Sequence, residues 1–141
     1  MAFPNRSTAA ISRLALVGLI LAAGAGPAAA ADFDGTKPFV CAVTTIMECD
    51  AGQCDRYAPP DAPPGAPAFF KIDVGAKSIT ASAGRKSTLM TTLHVNGRLV
   101  LQGGENGRGW SATIDEDTGV MSAAVVDEDH TFSLFGACTT P

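Results

Sequence analysis

The chain has 141 residues, 46% of them hydrophobic and 17% charged, with 14 acidic against 10 basic side chains. That length holds one ordinary domain, and the composition is too apolar and too weakly charged for a disordered chain. The acidic balance lacks the basic footprint of a nucleic-acid binder.

Residues 1–30 carry the three parts of a secretory signal peptide. Arg6 and Arg13 give a positive start, residues 14–23 form an apolar core, and Gly24, Gly26 and Pro27 precede an Ala-x-Ala site. That core is shorter than the roughly 20 residues a membrane-spanning helix needs. The expectation is cleavage after Ala30 or Ala31 and a soluble protein in the periplasm or outside the cell, with no membrane insertion. The first cysteine is Cys41, so no lipid anchor is expected at the cut. Losing residues 1–30 leaves 8 basic against 14 acidic side chains, a net charge of −6. That charge opposes binding to nucleic acid or anionic lipid.

Residues 31–37 are expected as a flexible polar leader, and residues 38–141 as a single all-β domain. Residues 38–49 (PFVCAVTTIMEC) are rich in Val, Thr, Ile and Phe and predict a strand. Residues 58–67 hold five prolines in ten positions, a density that excludes a helix or an inner strand and predicts a surface loop.

Beyond that loop the apolar residues alternate. Phe70, Ile72 and Val74 share one face of a strand over residues 69–74, and a short Thr/Ile strand follows at 78–82. In residues 89–95 the alternation assigns Leu89, Leu93 and Val95 to the core face and Met90, Thr92 and His94 to the other. Asn96-Gly97 is the strongest short hairpin signal, because a type I′ turn needs positive φ at both positions. Leu99, Leu101 and Gly103 alternate next, then Trp110, Ala112 and Ile114, then a strand of small and β-branched residues at 120–126. Phe132, Leu134, Gly136 and Cys138 make the last core face.

About eight strands at this spacing predict a small antiparallel meander, either a barrel or a sandwich. Tight hairpins favour sequential neighbours, and closure into a barrel would remove the edges. The four cysteines, Cys41, Cys49, Cys54 and Cys138, are expected as disulfides in an oxidising compartment. The favoured pairing is Cys49 with Cys54 across a Gly-containing turn, and Cys41 with Cys138 joining the first strand to the last. A zinc site would need two close cysteine pairs, and only one is present. No metal or other cofactor is expected.

Catalytic signals are sparse. The histidines are His94, beside the Asn-Gly turn, and His130, in an acidic turn. Neither has a spacing that implies a metal or a triad. Residues 115–119 (DEDTG) resemble the start of a calcium loop, but position twelve would be Val126 rather than a glutamate. A hairpin turn is the expectation there, and likewise at residues 127–129. The glycine-rich stretch 103–109 precedes a strand and not a helix, so it does not fit a phosphate loop. Trp110 is expected on the core face, with a position lining a ligand pocket at a barrel mouth as the sharper alternative.

The resulting expectation is a non-enzymatic exported binding module for a protein partner, an envelope component or a small ligand. The alternatives are a small envelope hydrolase using His94 or His130, and a purely structural envelope protein. A carrier needs an apolar pocket of roughly 300 Å³ or more, whereas an inhibitor of another protein needs an exposed loop or edge.

Overall fold

The computed structural model of the protein describes residues 32–82 and 84–141. The expected signal peptide and its cleavage site lie outside the described residues. Nine strands follow in order: β1 (Phe39–Cys49), β2 (Cys54–Tyr57), β3 (Phe69–Asp73), β4 (Ser78–Ala81), β5 (Lys86–His94), β6 (Arg98–Glu105), β7 (Arg108–Asp115), β8 (Val120–Val126) and β9 (Thr131–Thr139). A short 3-10 turn occupies Pro59–Asp61.

Strands β1 and β3 to β9 form a closed antiparallel barrel, each pairing with the next and β9 returning to β1. The long β1–β9 ladder runs from Val40↔Thr139 to Cys49↔Thr131 and decides between the two architectures left open by alternation. Disulfides join Cys41 to Cys138 across that closing ladder and Cys49 to Cys54 across the β1–β2 turn. Asp50 tightens this turn by accepting from the backbone N–H groups of Gly52 and Gln53.

The hairpin turns obey local rules. Asn96 and Gly97 both have positive φ, at 51° and 72°, and Val95 and Arg98 exchange both backbone hydrogen bonds around them. The stretch 103–109 spans the end of β6, a two-residue turn at Asn106 and Gly107, and the start of β7.

One strand was absent from the alternation. β2 (CDRY) is short and polar, and it pairs only with the far half of β1, Ile46 to Cys49. The near half of β1, Phe39 to Ala42, pairs on that same edge with β3. β1 therefore serves two neighbours in turn.

Two irregularities shift the side-chain phase. In β1 the register slips between Val43 and Thr45, so the buried series Phe39, Cys41, Val43 continues as Ile46. In β5 the register slips between Leu89 and Thr91. After that slip Thr92 lies opposite Leu101 and His94 opposite Leu99, on the inner face. Leu93 and Val95, expected in the core, are instead 48% and 49% exposed. A bulge adds one residue to one strand, and a period of two then assigns every later side chain to the other face.

The core is concentrated at one end of the barrel. Phe39, Leu99, Leu101 and Ile114 are fully buried there, each side chain contributing about 1.5–3 kcal/mol by burial. Phe33, within the expected leader, is also buried; its ring meets Phe39 edge-to-face at 5.7 Å. Its backbone N–H donates to the Glu116 carbonyl at 3.1 Å. This aromatic pair closes the end where β1 begins.

Candidate functional site

The other end of the barrel is hollow. A cavity of about 380 Å³ opens there, bounded by inward residues of the barrel strands and by the proline-rich loop. Side-chain volume explains the contrast between the two ends. Toward the mouth, inward positions carry Ala81, Ser87, Ala112 and Ala123, where the closed end carries Phe, Leu and Ile. The wall is otherwise apolar, with Ile46, Phe70, Ile79, Val125, Phe132 and Leu134 contributing.

The barrel wall is low on one side, because β3 and β4 have only five and four residues. The loop from β2 to β3 fills that gap. Residues 63–67 line the cavity as a roof, and Ala62 and Ala66 pack against the core. Three contacts fix the roof. Val43 N–H donates to the Ala68 carbonyl at 2.9 Å, Ala68 N–H donates to Ser82 Oγ at 2.9 Å, and the Arg85 guanidinium donates to the Gly65 carbonyl. Prolines suit the role, since they restrict the chain without demanding partners for backbone N–H groups.

Trp110 stands on the inner face as expected, packed against the core, and it also lines this cavity. Its ring is half-buried, and its Nε1–H donates to Ser87 Oγ at 2.7 Å. With the N–H paired to a neighbouring wall residue, the ring offers the cavity an apolar surface.

Charge gathers at the rim in two groups. On one side Glu105 lies opposite Arg108 in the β6–β7 ladder, and Arg108 Nε donates to Asp127 at 3.1 Å. Asp127 also accepts from the backbone N–H groups of His130 at 2.8 Å and Asp129 at 3.3 Å. The His130 amide, more than Arg108, holds the Asp127 carboxyl below its ordinary value. On the other side Glu48, which lines the cavity, lies opposite Asp55. Tyr57, opposite Ile46, shares that face of β2. Burial raises the Tyr57 phenol above its ordinary pKa of 10.0, and Asp55 and Glu48 raise it further.

The two histidines lie at opposite ends of the barrel. His94 Nδ1 is 2.7 Å from Glu116 Oε1, beside the aromatic plug. His130 sits in the turn before β9 at the mouth, 4.0 Å from Asp127. The structure therefore does not bring them into one site. The acidic turn at 115–119 is internally bonded: Asp115 accepts from Thr118 N–H at 2.9 Å and Thr118 Oγ1 at 2.8 Å. Both bonds hold its carboxyl below the ordinary value, the amide being the larger influence. Among the described residues, no group of three or more His, Cys, Asp or Glu is arranged to hold a metal ion. Also among them, no helix is long and apolar enough to cross a membrane.

Sequence reasoning singled out Trp110 but not Glu48, Ser87 or the proline roof. Glu48 was the one acid in the first strand, a usable signal, but the bulge in β1 hid which face it occupies. The roof read as a loop, and nothing local in it indicates what it covers.

No protein-family model matches the chain, and no curated protein or solved structure matches it.

Proposed function

We propose that this protein is an exported, non-enzymatic binding protein that holds a small, largely apolar ligand inside its barrel. The observation that carries the reading is the open cavity of about 380 Å³ with apolar walls. Its volume falls within the range of small-molecule sites, roughly 300–1,000 Å³. The site is shaped by the barrel's own strands and is roofed by an anchored loop, so little ordering accompanies binding. Support for export comes from the N-terminal sequence pattern and from two disulfides, which persist in oxidising compartments.

The hydrolase alternative draws on His94 or His130. The His94–Glu116 pair lies at the plugged end, away from the cavity, and His130, 4.0 Å from Asp127 in its turn, does not line the cavity. A ligand carrier needs no such pair.

Trp110 is the only tryptophan, so its emission reports the cavity. Titration of the purified protein with n-decanol should give a saturable blue shift. Native mass spectrometry of the protein from its own envelope should retain an added mass of a few hundred daltons. A tryptophan spectrum unmoved by decanol up to its solubility limit, together with a bare native mass, would sink the proposal.

A further inference from the structure

The cavity has an apolar body, so its selectivity must come from the charges at its mouth. The two sides of the mouth differ. Glu105 faces a cation, Arg108, whose guanidinium is further engaged by Asp127. Arg85, the other cation at the mouth, is exposed and donates to the Gly65 carbonyl. Glu48 faces Asp55 instead, a like-charge pair directly across the β1–β2 ladder. Such pairs destabilise a ladder. Arg56, the one cation of β2, lies opposite Met47 on the other face and does not relieve it. Among the described residues neither Glu48 nor Asp55 has a cationic partner within ion-pair distance. The phenol of half-buried Tyr57 stands on the same face, and aromatic rings attract cations.

Resting on the carrier reading above, we infer that the ligand is a lipophilic cation, with its apolar part inside the barrel and a protonated amine at Glu48 and Asp55. A cationic head would remove the repulsion between the two carboxylates. An anionic head would meet that repulsion at the β1–β2 side, where no cation stands; Arg108 is paired with Asp127, and the charge of Arg85 lies by the roof at Gly65. A neutral ligand would gain only the apolar contacts. Both carboxylates stand on the β1–β2 ladder, which Cys49–Cys54 closes and β9 flanks on the β1 side, so the counter-charge is held in place before binding.

The test compares three probes of one chain length, n-decylamine, n-decanol and n-decanoate, by Trp110 emission and calorimetry at neutral pH. Decylamine should bind at least about tenfold more tightly than decanol, and decanoate more weakly than decanol. Glu48→Gln should remove the preference for the amine while leaving decanol affinity within about twofold, which also reports an intact cavity. Should Glu48→Gln lose decanol binding through misfolding, Asp55→Asn supplies the same comparison from an exposed position. Equal affinity for the three probes, tighter binding of decanoate, or an amine preference that survives the Glu48→Gln/Asp55→Asn double substitution would overturn the cation inference and leave the carrier reading standing. Failure of all three probes, decanol included, would overturn both.

Discussion

Gly103 and Trp110 lie directly opposite each other in the β6–β7 ladder, and the indole occupies the space a side chain on Gly103 would need. A Cβ there would overlap the ring and come within 2.5 Å of the Thr88 carbonyl oxygen. The ring can turn away, but the Thr88 backbone is held in the β5–β6 ladder. Gly103→Ala should therefore destabilise the barrel by about 1–3 kcal/mol, as overpacking does. It should also displace Trp110 from Ser87. A urea unfolding series followed by tryptophan emission measures both effects, and an unchanged midpoint with unchanged emission would contradict this account.

The disulfides should contribute unequally. Cys41–Cys138 spans 97 residues of sequence and Cys49–Cys54 spans 5. In the chain-entropy model, loops of these sizes correspond to about 4–5 and about 2 kcal/mol. Replacing Cys41 and Cys138 by alanine should lower the thermal midpoint roughly twice as far as replacing Cys49 and Cys54. Paired melting curves check the order, and a larger loss from the short bridge would reverse it.

Filling the cavity should separate binding from stability. Ala123 lines the hollow half of the barrel, and the space beside it is empty. Ala123→Leu should weaken decanol binding by at least about tenfold while leaving the urea midpoint unchanged or higher, since added apolar contacts there meet no packed neighbour. Undiminished binding would mean that the ligand sits elsewhere.

The Arg85–Gly65 contact should govern exchange. It ties the roof to the turn before β5. Arg85→Ala removes one charge-assisted hydrogen bond, so the roof should open more often and ligand dissociation should quicken by several-fold. Stopped-flow displacement of a bound probe reads the rate directly. An unchanged rate would place the entry route on another side of the mouth.

Acid stability follows from the turn aspartates. Asp50, Asp115 and Asp127 all have carboxyls below their ordinary pKa of 3.8, held there mainly by backbone N–H groups. A carboxyl depressed in the folded state stabilises the fold at pH values above its unfolded pKa. That contribution fades as pH falls below about 4 and through the folded value. The urea midpoint should therefore be flat near neutrality and drop on acidification below about pH 4. Asp115→Asn should lower the midpoint at pH 7 and show a shallower acid drop, the two curves converging at low pH. Parallel curves would remove Asp115 from the explanation.

Much of the barrel was legible because its signals are local. The Asn96-Gly97 turn needed only its own backbone preferences, and the faces of β6, β7 and β9 followed from alternation in unbroken strands. β5 failed for a physical reason: its extra residue near Met90 is placed by pairing with β6, and nothing in KSTLMTTLH marks it. β2 was missed because four mostly polar residues carry no period. It exists because β1 continues past the end of β3 and offers an unpaired edge.

By itself the sequence determined an all-β domain, its turn positions, a proline loop too stiff for regular structure, and cysteines able to staple the first strand to the last. These follow from residue-level preferences that hold in any surroundings. Only the tertiary structure decided that the sheet closes and that one end is plugged by Phe33 and Phe39. It also decided that alanines leave the other end hollow, and that Glu48 faces Asp55 across the β1–β2 ladder at the mouth. Those features depend on which residues meet across the barrel, and a cavity is a property of facing side chains that no single strand contains.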